Sequence, residues 1–148
     1  MRMLATRFAV LALLAIPATA DARPISWGGT GANDLGPGYI LLSTNNGRVG
    51  LTNVQIIMAC TDAEDGTESE RAFDAKHPAR VAMTRNRFRF DFNEYSGGRS
   101  GHVVLTGRLG SNGRGTAKVD IDAVGRGSGG EIVERCSGLV RFALRRGN

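Results

Sequence analysis

Lysine, histidine, cysteine and tryptophan are all scarce in this 148-residue chain. Of 19 basic residues only Lys76 and Lys118 are lysines, so arginine carries nearly all the positive charge. There are two histidines, His77 and His102, two cysteines, Cys60 and Cys136, and one tryptophan, Trp27. No Cys-x-x-Cys occurs and no histidine stands near either cysteine, which removes the usual zinc-finger and dithiol redox spacings. No Gly-x-x-x-x-Gly-Lys is present, so the abundant glycine does not build a phosphate loop. Nor is there a Gly-x-Ser-x-Gly elbow; the near miss Gly127-Ser-Gly-Gly130 lacks the preceding Gly-x and lies in a low-complexity loop. Nothing in these spacings points to a cofactor or a metal.

Long apolar runs are missing too. The longest is Phe8 to Ile16, nine residues, whereas a membrane-spanning helix needs about 20. This run follows Arg2 and Arg7, is closed by Pro17, and precedes Ala18-Thr-Ala20 and Ala20-Asp-Ala22, two overlapping small-x-small cleavage sites. The pattern is that of a signal peptide over residues 1–22, and it predicts an exported protein, periplasmic or extracellular, that is not integral to a membrane. Without Arg2, Arg7 and Asp21, the 19 basic and 14 acidic residues become 17 and 13, a net charge of +4. A charge of that size is weak support for an acidic partner, because a Gly-, Ala- and Arg-rich composition is also what GC-rich coding produces.

In an exported chain two cysteines are most simply one disulfide, here Cys60–Cys136. The bridge would close a loop of 76 residues. In the loop-entropy picture such a closure stabilises by about 4 kcal/mol.

The remaining chain reads as strands. Residues 23–38 hold five glycines and two prolines with no period, and are expected to be a Gly-rich N-terminal arm, pinned at most by Trp27. A β-domain is expected over residues 39–148. Its first strand is Tyr39–Thr44, followed by an Asn45-Asn46-Gly47 turn whose Asn-Gly pair supplies the positive φ values of a tight hairpin. The return strand, Arg48 to Cys60, changes apolar parity near Thr52-Asn53, which predicts a bulge or a break. Asp62 to Glu70 is an acidic turn, Arg71–Phe73 a short strand, and Lys76-His77-Pro78 a loop, since the residue before proline avoids the helical region. Val81–Met83 starts a strand, Arg85-Asn86 turns it, and Arg87 to Phe92 returns with Phe88, Phe90 and Phe92 on one face. Two further alternating runs follow, His102–Leu109 and Gly115–Ala123. The last, Cys136 to Arg145, places Cys136, Gly138, Val140, Phe142 and Leu144 on the buried side. About eight short strands joined by Gly and Asn turns, with a polar outer face, predict an all-β antiparallel sandwich or small barrel-like fold.

The pattern Gly101-x-Val-x-Leu-x-Gly-x-Leu109, then Asn112-Gly113-x-Gly115, then Cys136-Ser-Gly-x-Val-x-Phe-Ala-x-Arg145 resembles small secreted bacterial β-sandwich domains of unassigned function. The resemblance spans roughly residues 38–146 and implies the fold and the disulfide. It carries over no catalytic residue.

Candidate chemistry is sparse. Asp62, Glu64, Asp65, Glu68 and Glu70 could offer oxygens to calcium but miss the EF-hand spacing. His102 or His77 with a carboxylate could serve a small hydrolase or lyase, provided that they converge in a concave site. Asp91 with Glu94, and Asp120 with Asp122, are carboxylate pairs on paper. The most suggestive feature is cationic: Arg85, Arg87 and Arg89 at alternate positions of one strand, and Arg141 and Arg145 on the outer side of the last. In one sheet they would make a plate able to hold phosphate or sulfate groups through bidentate contacts. Lys118, Asp120 and Asp122 would otherwise neutralise that face. Nucleic acid is a poor partner, because the outer faces lack interleaved aromatics for stacking. The reading these residues favour is a non-catalytic binding module for an envelope or extracellular ligand, an anionic polymer being one candidate. The alternatives are the hydrolase or lyase and a structural or protein-binding module, inhibitor- or adhesion-like.

Overall fold

The computed structural model describes residues 23–147; the expected signal peptide lies outside them. Eight strands follow in chain order: β1 Ile25–Asn33, β2 Gly36–Asn45, β3 Arg48–Asp62, β4 Glu68–Ala82, β5 Arg87–Ser96, β6 Arg99–Leu109, β7 Arg114–Arg126 and β8 Ile132–Arg146. All pair antiparallel in one sheet of order β4-β3-β2-β1-β8-β7-β6-β5. The all-β antiparallel fold with eight strands and one Cys60–Cys136 bridge is as the sequence predicts. The strands belong to a single hydrogen-bonded sheet, and one cluster of inward side chains forms its core. No helix among the described residues is long and apolar enough to cross a membrane.

The strand order forces the sheet to curl. Its two edges, β4 and β5, are consecutive in the chain and joined by the two-residue turn Arg85-Asn86, with Thr84 bridging Arg87. Further along this seam the edges meet through side chains: Asp74 N donates to Ser96 Oγ at 3.1 Å, and the His77 ring lies 4.6 Å from that of Phe92. Phe88 and Phe90 on β5 and Phe73 on β4 all belong to the core.

Turn chemistry sets three of the hairpins. Asn46-Gly47, Arg85-Asn86 and Gly97-Gly98 all have positive φ at both positions, as a two-residue hairpin of the right twist requires. The expected parity switch in β3 is a bulge: Leu41 faces Asn53 and Leu42 faces Leu51, leaving Thr52 over.

Two expectations are corrected. Residues 23–38 are not an arm. They hold β1, which lies between β2 and β8, and the start of β2. Glycine hides the strand from periodicity but is what lets β1 fit, since a Cβ at Gly29 or Gly31 would run into the backbone of β8. Trp27 is buried, and its indole N–H donates to Thr44 Oγ1 at 3.2 Å. Second, Arg71–Phe73 and Val81–Met83 are parts of one strand, β4, and Lys76-His77-Pro78 is not a loop. An edge strand can take Pro78 because no ladder bond is needed on its outer side. The pairing also slips there: His77 faces Leu51 but Val81 faces Val49, so the segment 78–80 bulges out.

The β1–β2 hairpin is wedged between β3 and β8. Asn33 closes its tip, accepting from the N–H groups of Leu35 and Gly36 and donating to Ile57 O at 2.8 Å. Beyond that tip β3 and β8 pair directly, and there Cys60 faces Cys136.

Candidate functional site

The outer face of β5–β8 carries the charged side chains in ranks. Register places Arg87 opposite Arg108, which is opposite Thr116 and then Ala143. Two residues along each strand comes Arg89, Thr106, Lys118 and Arg141. The next rank is Asp91, Val104, Asp120 and Leu139, and the one after it is Asn93, His102, Asp122 and Ser137. Neighbouring strands are about 4.8 Å apart and successive ranks about 6.8 Å apart. Charge is therefore sorted along the strands, cations at one end and carboxylates beyond them.

At the cationic end, three like-charged pairs stand directly opposite each other: Arg87 and Arg108, Lys118 and Arg141, Arg114 and Arg145. Such pairs destabilise a sheet. Among the described residues Arg85, Arg87, Arg108 and Arg141 make no ion pair. An open cleft of about 840 Å³ is lined by Thr84, Arg85, Arg87, Phe88, Arg89 and Arg108. It adjoins one of about 450 Å³ that shares Arg87 and Arg108 and extends to Lys118 and Arg141.

The five arginines singled out from the sequence thus lie at one end of one face, with a correction. Arg85 is not on the strand of Arg87 and Arg89; it sits in the turn at φ 50°. β5 and β8 are also not neighbours, and the cations of the intervening strands, Arg108 and Lys118, connect them. Arg108 was legible as an outward residue, but its place opposite Arg87 depends on register. Lys118 belongs to the cationic rank while also lying 3.6 Å from Asp120.

The histidines do not converge. His102 is on the outer face, donating from Nε2 to Asp91 Oδ1 at 2.7 Å. His77 packs against the inward rings of Phe90 and Phe92, with Nδ1 2.9 Å from Ala79 O. Asp91 also accepts from Arg89 Nη2 at 2.7 Å. Arg89 first, and His102 second, hold the Asp91 carboxyl below the usual aspartate range. His102 and Asp91 are both about half exposed, and Ser100 and Ser137 line the open cleft beside them. Of the paper carboxylate pairs, Asp120 and Asp122 share the outer face, whereas Asp91 and Glu94 alternate to opposite sides of β5.

Two carboxylates of the acidic turn are held by its own backbone. Asp62 Oδ1 accepts from the N–H groups of Glu64 and Asp65, and Asp65 Oδ1 accepts from Thr67 at 2.8 Å. The bond from Thr67 keeps the Asp65 carboxyl low. Glu134 lies within 4.8 Å of the cysteine sulfurs, but these are bonded to each other, and the carboxylate is held by Arg99 Nε at 2.6 Å.

Comparison with known protein families, curated proteins and solved structures finds no match to this chain.

Proposed function

We propose that the protein is an exported, non-catalytic binding module that holds an anionic polymer on the cationic end of its outer β5–β8 face. The observation that carries this reading is the set of like-charged pairs, above all Arg87 opposite Arg108, neither of which makes an ion pair among the described residues. Repulsion between directly opposed cations costs stability in the free protein, and an anion lying between them removes that cost. Guanidinium forks suit phosphate, sulfate and carboxylate groups alike. The test is retention of the mature protein on an immobilised anionic matrix over a salt gradient. Arg87→Ala with Arg108→Ala should elute at clearly lower salt than the parent, and far lower than a control such as Arg23→Ala. Unchanged retention of the double variant overturns the reading. Export itself is checked by mass spectrometry of the secreted chain, which should begin near Arg23.

A second reading rests on the His102–Asp91 contact. A base held by a carboxylate on the same face as the cations suits a lyase acting on the bound polymer. Chain shortening on incubation, abolished by His102→Ala, would support it; polymer recovered at full length sinks it.

A further inference from the structure

Past the cationic ranks the same face changes character without a break. An open cleft of about 650 Å³ there is lined by Asn93, Ser100, His102, Asp122, Arg135 and Ser137, among smaller residues. Ala59 and Ser137 are short outward side chains, which leaves the cleft sunk between its neighbours. Between the cationic ranks and this cleft lie Asp91 and Asp120, followed by Asp122.

This sequence of ranks discriminates between anionic polymers. A chain charged at every unit, such as polyphosphate, would run from the Arg87–Arg108 end past Asp91, already paired with Arg89 and His102, and Asp120, near Lys118, onto Asp122, which makes no ion pair among the described residues and repels it most. A chain whose acid groups are spaced by hydroxyl-bearing rings meets a partner throughout. Its acid groups fit the guanidinium forks, and its hydroxyls donate to Asp122 and exchange hydrogen bonds with Asn93, His102 and Ser137. We propose that the ligand is an acidic polysaccharide laid along the strands, its acid group at Arg87–Arg108 and its neutral hydroxyls in the His102–Asp122 cleft. The span from the Arg87 rank to the Asn93 rank is about 20 Å. The inference rests on the proposed anion-binding reading and adds the class of polymer.

The experiment compares hyaluronate, whose acid groups fall on alternate rings, polyphosphate of matched length and neutral dextran by titration calorimetry, using the mature protein with Arg108→Ala and Asn93→Ala/Asp122→Ala variants. All these positions are exposed, so folding is retained and is verified by circular dichroism. Hyaluronate is expected to bind more tightly than polyphosphate, and dextran not at all. The Asn93→Ala/Asp122→Ala variant should weaken hyaluronate about tenfold, as loss of one or two hydrogen bonds would, while leaving polyphosphate equal or tighter. Polyphosphate binding as tightly as hyaluronate, or a hyaluronate affinity untouched by that variant, overturns the polysaccharide and leaves the anion-binding reading standing. Failure of both charged polymers to bind overturns the two together.

Discussion

Cys60 and Cys136 face each other directly across the short β3–β8 ladder, just past the tip of the β1–β2 hairpin. Their disulfide closes 76 residues of chain and pins the place where two long strands, held apart by that hairpin for most of their length, come together. Both side chains are buried, so the bridge is also part of the core.

Reduction, or Cys60→Ala with Cys136→Ala, should lower stability by about 2–4 kcal/mol, because the unfolded chain regains the freedom of a long loop. Urea unfolding with and without reductant measures it. The oxidised protein should show no free thiol on titration; two reactive thiols would contradict the bridge.

Gly31→Ala should be costly and Gly28→Ala close to neutral. A Cβ at Gly31 meets the carbonyl oxygen of Arg141 on β8, a backbone atom that cannot turn away, whereas at Gly28 the nearest atom is a Leu41 methyl at 3.5 Å. Overpacking of the first kind costs about 1–3 kcal/mol. Equal unfolding midpoints for the two variants would contradict the tight β1–β8 fit.

Glu134→Ala should destabilise by about 1–3 kcal/mol, because it strips the partner from a mostly buried Arg99. The two side chains are only 13% and 15% exposed, and Arg71 and Ser69 add weaker contacts to the same carboxylate. The double change Arg99→Ala/Glu134→Ala should cost less than the sum of the single ones; strict additivity would mean that the pair does not act as a unit.

Asp91 should titrate below the ordinary aspartate range, and Arg89→Ala should raise its midpoint more than His102→Ala does. The sign follows from the depressed value in the folded chain: whatever stability the carboxylate contributes is present above its unfolded pKa and is lost as pH falls through the lower folded one. Carbon-13 detection of the carboxyl group reads this directly, and a midpoint indifferent to Arg89→Ala would contradict the contact.

Much of this fold was legible because it is written in short-range terms. The alternation of Cys136 to Arg145 gave the buried side of β8, that of Arg87 to Phe92 gave β5, and the parity slip at Thr52 gave the bulge in β3. Asn46-Gly47 announces a hairpin through its need for positive φ, and Arg85-Asn86 reads as a turn between two apolar runs, its positive φ being seen only in the structure. Side-chain direction along a strand, and backbone preference in a turn, depend only on a few neighbouring residues.

What needed the tertiary structure is what depends on partners far away in the chain. Ile25–Asn33 has no period to betray a strand, and it becomes one because β2 and β8 lie on either side and glycine admits them closely. Pro78 argues for a break until β4 is known to be an edge. The candidate site is of the same kind. Outward arginines can be read from parity, but only the register of β5 with β6 sets Arg87 against Arg108, and only the β6–β7–β8 ladders carry that rank on to Lys118 and Arg141. Composition and periodicity determined the fold class, the disulfide partners and which side chains face outward. Register, a property of pairs of segments and not of either one alone, decided which charges meet.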